Sequence, residues 1–338
     1  MFFRDIEFGN VFNAPGSRGF FDEKYLHHFA LAMLGHDWSG STFVAKTTTY
    51  YPKEDNLPMK KDGITPKEII PRCIYVNPQM FWNGHVLNAV GLSGPGAVEL
   101  FIHPSAKFWY EYTQPFILSF MSISKNLAGR LEELSLYIKL VNKILYLKGS
   151  PKIKNPIALH LNFACPNVGL SRREELVKEV WQSLDIASTL NIPLIPNFNA
   201  LVPPETIADI ANHTACDGFW LSNTIPWGTP EIDWEGITGH KTSPLIDRGF
   251  TSGGLSGPAC LPFVIKQITA ARKLGVTKPI IAGNGVQNTI SAQKLLDANV
   301  DGIALGVINL LRPFMMQEVI CYINSHFKDR ELGRKFNV

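Results

Sequence analysis

The chain has 338 residues, 45% of them hydrophobic, and a formal charge of +3. That length can bury a large core and suits a single barrel of alternating strands and helices. The charge is too small, and Lys and Arg too scattered, to favour nucleic acid as a partner.

In chain order, the N-terminal run Met1-Phe2-Phe3-Arg4-Asp5 meets acid early and does not read as a signal peptide. No window approaches the ~18 uninterrupted apolar residues of a membrane span, so a soluble cytoplasmic protein without membrane contact is expected. Short apolar runs predict strands at 11–14, 42–47, 115–121, 157–163, 192–198, 218–222, 279–282 and 302–306. Amphipathic stretches predict helices at 131–147, 173–190, 206–213, 261–274 and 289–298. This alternation implies parallel pairing, and eight such strands predict a closed (β/α)8 TIM barrel, one domain spanning 1–338. Two long irregular insertions, at about 51–82 and 226–250, are expected to elaborate its C-terminal face. The five cysteines have wide, irregular spacing and no C-x-x-C pair, so neither a disulfide framework nor a metal site is expected.

Chemically capable residues fall at the ends of the predicted strands: Lys46, Ser122 and Ser124, Asn162 and Cys165, Asn197, and Asn223. In a barrel those ends converge on the face that carries active sites. The segment His160-Leu161-Asn162-Phe163-Ala164-Cys165-Pro166-Asn167 is the most telling. It runs an apolar strand into a turn bearing a thiol between two carboxamides, which can supply donors, acceptors and a base. Three glycine segments follow: Gly253-Gly254-Leu255-Ser256-Gly257, Gly283-Asn284-Gly285, and Gly306. Glycine lets a ligand approach backbone N–H groups, and the loops after the seventh and eighth strands of such barrels often bind phosphate. The G-x-G-x-x-G dinucleotide pattern after an early strand is missing, so a mononucleotide such as FMN fits better.

Taken in order, Phe12-Asn13-Ala14-Pro15-Gly16, Ala45-Lys46-Thr47-Thr48-Thr49, Leu87-Asn88-Ala89-Val90-Gly91-Leu92, Leu161 to Asn167, Ser222-Asn223-Thr224 and Gly253 to Gly257 resemble the motifs of the dihydroorotate dehydrogenase family. The resemblance extends along nearly the whole chain. It implies FMN across the barrel mouth, contacted by Ala14, Gly16, Lys46, Thr47, Asn162, Asn197, Gly253, Gly254, Gly257, Gly283, Asn284, Gly285, Gly306 and Val307. It implies a pyrimidine substrate held by Asn88, Asn162, Asn167, Asn223 and Thr224, with its carboxylate on Lys46 and the amides of Val90, Gly91 and Leu92. Cys165 would be the base that takes a proton from dihydroorotate while hydride leaves for the flavin, yielding orotate for pyrimidine biosynthesis. A cysteine base resembles the soluble branch, which implies a homodimer or an electron-transfer partner subunit.

The resemblance breaks at the fifth strand, where Asn197 stands in place of the family's Lys beside the flavin. A neutral amide gives no Coulombic support to a reduced flavin, so a lower potential and weaker FMN affinity are expected. Pro15 for Ser and Val307 for Thr each remove a hydroxyl. His160 and Arg18 are candidate compensating cations; His160 as a core histidine and Arg18 as a surface charge are the plainer expectations. Two further functions stay open: a flavin oxidoreductase for another dihydropyrimidine, and a non-catalytic relative that binds a pyrimidine or a partner.

Overall fold

The computed structural model describes residues 1–23, 37–146, 152–163 and 173–336, with side chains to residue 330. A hairpin of β1 (Phe2–Phe3) and β2 (Ile6–Glu7) opens the chain and leads into β3 (Val11–Asn13). The other strands are β4 (Ile74–Tyr75), β5 (Val86–Asn88), β6 (Phe116–Phe120), β7 (Ile157–Asn162), β8 (Leu194–Phe198), β9 (Phe219–Leu221), β10 (Ile225–Pro226), β11 (Gly254–Ser256), β12 (Ile280–Gly283) and β13 (Gly302–Leu305). Seven of them form one parallel sheet in the order β3-β13-β12-β9-β8-β7-β6. Helices Leu127–Tyr146, Arg173–Ser188, Pro204–Ala211, Leu261–Lys273 and Thr289–Asp297 lie within a few residues of their predicted spans.

The eighth predicted strand, at 42–47, is not a regular strand but still closes the barrel. Thr42 bridges Phe12 on one side, while Val44 and Thr48 bridge Ile117 and Phe120 on the other. Four steps along this segment oppose three along β6, so it carries one extra residue, as a β-bulge does. The Asn13 side chain completes its other edge: Nδ2 donates to Val44 O and Oδ1 accepts from Val44 N, both at 2.8 Å. A carboxamide thus stands in for a missing backbone rung. That is why the pattern was visible in the sequence while the ladder is irregular.

Two apolar cores result. One lies between the sheet and its helices; the other fills the barrel with Phe12, Val44, Ile117, Ala158, Ile195, Trp220, Ile281 and Ala304. Met1, Phe3 and Phe8 pack onto this inner core and plug its bottom, so the barrel can open only at the C-terminal ends of its strands.

Over that open face lies a small antiparallel sheet, β10-β11-β5-β4, built from loop segments. The two insertions, separate in sequence, clasp one another beside it. Tyr75 Oη meets His240 Nε2 at 3.0 Å, Asn77 Nδ2 donates to Thr238 O at 2.8 Å, and Arg248 Nη1 donates to Arg72 O and Ile74 O at 3.1 and 3.0 Å. Among the described residues, no helix is long and apolar enough to cross a membrane.

Candidate active site

Side chains alternate faces along a strand, so the inner core fixes which residues point inward one layer higher. Two residues beyond Phe12, Val44, Ile117, Ala158, Ile195, Trp220, Ile281 and Ala304 stand Ala14, Lys46, Ser119, His160, Asn197, Ser222, Gly283 and Gly306. The interior therefore changes from apolar to functional in a single step. One side of this layer is polar; the other, at Gly283, Gly306 and Ala14, is almost without side chains. A Cβ on Gly283 would lie 2.4 Å from Ala304 O, and one on Gly306 would lie 3.2 Å from Ala14 Cβ. The low side can therefore receive a flat ligand leaning against backbone.

Lys46 is 7% exposed, and its Nζ donates to Ser93 O at 2.6 Å and lies 4.9 Å from the Phe20 ring. Burial lowers its pKa to about 8, against the opposing charges of Glu23 and Asp55. This bond ties the lysine to the loop after β5. The loop is braced from the first insertion: Asn56 Nδ2 donates to Ala89 O at 2.7 Å, and Asp55 Oδ2 accepts from Leu92 N at 3.0 Å. The Leu92 amide, expected to meet a substrate carboxylate, is thus already engaged by Asp55. Burial works against ionisation of Asp55, but bonds from Lys53, Leu92 and Asn56 outweigh it and hold its carboxyl below the usual range. Asp55 and Asn56 are supports of this loop that sequence reasoning missed, because nothing in the irregular 51–82 insertion signals what it packs against; Ser93 was missed because it holds Lys46 through a backbone carbonyl, which leaves no mark on the sequence.

Asn162 and Asn197 are register partners on β7 and β8, and Asn197 Nδ2 donates to Asn162 Oδ1 at 2.9 Å. Asn197 is 3% exposed, and its Oδ1 is buried without a partner. An orphaned acceptor at the mouth of a barrel is costly unless a ligand donates to it. The O and N of an amide are placed by their partners, so both side chains can turn together and keep their bond. The free edge then offers a donor instead. Cys165 and Asn167 lie outside the described residues.

Asn223, Thr224 and the glycine segments come together on the opposite rim. Asn284 Nδ2 donates to Asn223 O at 2.9 Å and its Oδ1 accepts from Gly257 N at 3.0 Å, tying three strand ends into one edge. The Gly253–Gly257 segment is a strand rather than an open anion loop: Gly254 and Leu255 pair with Asn88 and Leu87. Its glycines are needed for crowding, since a Cβ on Gly253 would lie 2.7 Å from Asn88 O, and one on Gly254 2.4 Å from Thr224 Oγ1. That places it against Asn88 and Thr224, the expected substrate side. The helix Thr289–Asp297 is closed by its own Asn288–Ser291 capping box, whereas no side chain caps Val307–Leu311 at Gly306. An anion on this rim is therefore best served by Gly285, Gly306 and Val307.

Several expected residues do other work. Ser122 Oγ donates to Arg130 O at 2.7 Å, and Ser124 N bonds Glu133, so both belong to the entry of helix Leu127–Tyr146. Arg18 is neither a surface charge nor a cation at the mouth: it is 7% exposed, pairs with Asp22 at 2.6 Å and lies 5.1 Å from the Phe43 ring. His160 is fully buried, and burial drives its pKa down to about 3, so it is a neutral core histidine. Among the described residues, no group of His, Cys, Asp and Glu could hold a metal ion.

A family model described as dihydroorotate dehydrogenase matches residues 68–325. Among curated relatives, the dihydroorotate dehydrogenase B (NAD(+)) catalytic subunit of Alkaliphilus metalliredigens is 30% identical over 252 residues, 72% of this chain and 74% of the relative. The protein of the same description from Staphylococcus carnosus is 28% identical over 242 residues, 70% of each chain. A solved structure of Eimeria tenella DHODH in complex with ferulenol superposes with a TM-score of 0.65 at 14% identity, covering 97% of this chain and 84% of that one. This last likeness speaks for the fold.

Proposed function

Starting from the fact that the chain belongs to the dihydroorotate dehydrogenase family, we propose that it oxidises dihydroorotate to orotate with FMN, in the cytoplasm, as a step of pyrimidine biosynthesis. The observation that carries this reading is the upper layer of the barrel, where Lys46 and Asn197 face a floor of Ala14, Gly283 and Gly306. FMN would rest on that floor, with its phosphate toward Gly285, Gly306 and Val307 and its ring toward Lys46, Thr47 and Asn197. When bound, it would supply the acceptor for a hydride. The orphaned Asn197 Oδ1 supports the fit, because a planar heterocycle with N–H and C=O edges can satisfy it in either amide orientation.

The chain's own residues would then hold the substrate. Asn88, Asn162, Asn223 and Thr224, joined by Asn167, would bond the pyrimidine edges. Lys46, with the amides of Val90 and Gly91, would neutralise its carboxylate, and Cys165 would take the proton. The relatives are named as catalytic subunits, which supports an electron-transfer partner subunit; a homodimeric core is proposed with it.

The test is the visible spectrum of the purified protein, followed by dihydroorotate without oxygen. A flavin band that bleaches is expected. A band that persists would redirect the assignment to another dihydropyrimidine. Asn197 favours a second reading, a pyrimidine- or partner-binding relative with weakened FMN, and a protein that stays colourless with added FMN would establish it.

Asn197→Lys is expected to tighten FMN and raise its midpoint potential by about 20 mV, since charging one hydrogen bond adds roughly 1 kcal/mol. Equilibrium titration against a redox dye measures this. An unchanged potential would mean that Lys46 already provides the charge.

A further inference from the structure

Lys46 carries a buried charge that no contacting anion cancels. Its Nζ donates to Ser93 O at 2.6 Å and lies over the Phe20 ring, 4.9 Å from the centroid. The lysine and the phenylalanine are 7% and 1% exposed. Among the described residues no carboxylate makes an ion pair with Nζ, although Glu23 and Asp55 act on it from farther off, opposed by Lys53. Both acids are engaged by other donors. Glu23 accepts from Phe20 N and Phe21 N at 2.7 and 2.6 Å. Asp55 accepts from Asn56 N and Leu92 N, each at 3.0 Å, and pairs with Lys53. Burial also raises the Glu23 carboxyl, which makes it the weaker counter-ion.

Phe20 is held on three sides. Glu23 takes its N–H, Trp109 Nε1 donates to its carbonyl at 2.8 Å, and its ring edge meets Gly94, where a Cβ would come within 3.0 Å of Cζ. The ring beside the ammonium is therefore fixed in place.

An ammonium taken out of water is costly unless something favours its charge. A carboxylate in contact would do so, but it would also occupy the position that a ligand's anion needs and cancel the attraction toward it. The negative face of an aromatic ring does neither. It favours the cation, more strongly when both are desolvated, and brings no net charge. We propose that Phe20 is a positioning residue whose ring takes the place of a counter-ion, keeping the Lys46 ammonium charged while leaving it able to receive an anionic ligand. That this anion is the dihydroorotate carboxylate rests on the function proposed above. The support of the ammonium by the ring does not.

The test has two arms. In ligand-free protein labelled with 13C-lysine, the Lys46 Cε resonance, identified by its loss in Lys46→Met, reports the protonation of Nζ. Its midpoint, at about 8 in the parent, is expected to fall by about one pH unit in Phe20→Leu, since a buried cation–π contact is worth about tenfold in the ionisation constant. Loss of packing alone would act the other way, because water admitted beside the ammonium favours its charge. An unchanged or raised midpoint therefore overturns the inference. 3,5-Difluorophenylalanine at position 20 keeps the shape of the ring and depletes its face, so it serves also where Phe20→Leu does not fold. It should lower the midpoint in the same direction by less, and a midpoint that stays in place overturns the role of the ring face. The second arm follows KM for dihydroorotate. In Phe20→Leu it should rise about threefold near pH 7.5 and match the parent below about pH 6, where Lys46 is charged in both. In the Lys46→Met background the same substitution should cost nothing further. A KM raised equally at every pH, or raised again in that background, would mean that Phe20 serves packing only, and overturns the inference. A parent that does not turn over dihydroorotate would strike the function proposed above, and the first arm would still decide the role of the ring.

Discussion

Cys165→Ala is expected to slow reduction of the bound flavin by dihydroorotate by about 10²–10⁴-fold, the usual worth of a positioned base. Reduction by dithionite should be unaffected, because that route takes no proton from the substrate. The expectation rests on sequence distance and on strand geometry. Phe163 N donates to Asn197 O at 3.0 Å, which fixes the chain's exit from β7 at the rim, two residues before the thiol. Among the described cysteines, Cys73, Cys216 and Cys260 are buried, and burial pushes their thiols up to about 11, 12 and 12. They are inert hydrophobes at neutral pH and cannot substitute as a base. Stopped-flow absorbance with dihydroorotate in the absence of oxygen reads the rate. Equal rates in parent and variant would remove Cys165 from the chemistry.

Lys46→Met comes second, with an expected rise in KM for dihydroorotate of about 10–100-fold, as a charged hydrogen bond to the carboxylate is lost. Methionine keeps an unbranched side chain of similar reach and can set its sulfur near the Phe20 ring over which the ammonium lies, so the effect should fall on binding rather than folding. The parent should also lose affinity for the anionic substrate as pH rises through about 8, where the ammonium gives up its proton. In the variant that slope should vanish. Stability moves the other way. The folded pKa lies below the ordinary lysine value of 10.5, so between about 8 and 10.5 the unfolded chain binds more protons than the folded one. Stability from this group therefore rises with pH across that window and is flat below it. A pH-independent KM in the parent would place the carboxylate elsewhere.

Much of this architecture was legible because strand and helix periodicities survive in any context. The five expected helices appear within a few residues of their spans, and seven of the eight strands pair in parallel order. The 42–47 run was visible as apolar and β-branched. Its bulge was not, since it depends on how many residues of β6 lie opposite and on Asn13 reaching Val44. The site followed the same division. Lys46, Asn162 and Asn197 stood out as polar residues ending apolar runs, whereas Ser122 and Ser124 looked equivalent and proved to belong to a helix entry.

What the sequence determined by itself is whatever is carried by local pattern: a barrel of alternating elements, a polar set at strand ends, and an Asn where the family's motif has Lys. What the tertiary structure alone decided is which partner each polar group finds. Leu92's amide is given to Asp55, Arg18 to Asp22 and His160 to Ser119. The two insertions, more than 140 residues apart, meet each other as well. The physical reason is that side-chain alternation is a property of neighbours along the chain. A hydrogen bond or a buried charge is settled by groups that come together only when the barrel closes.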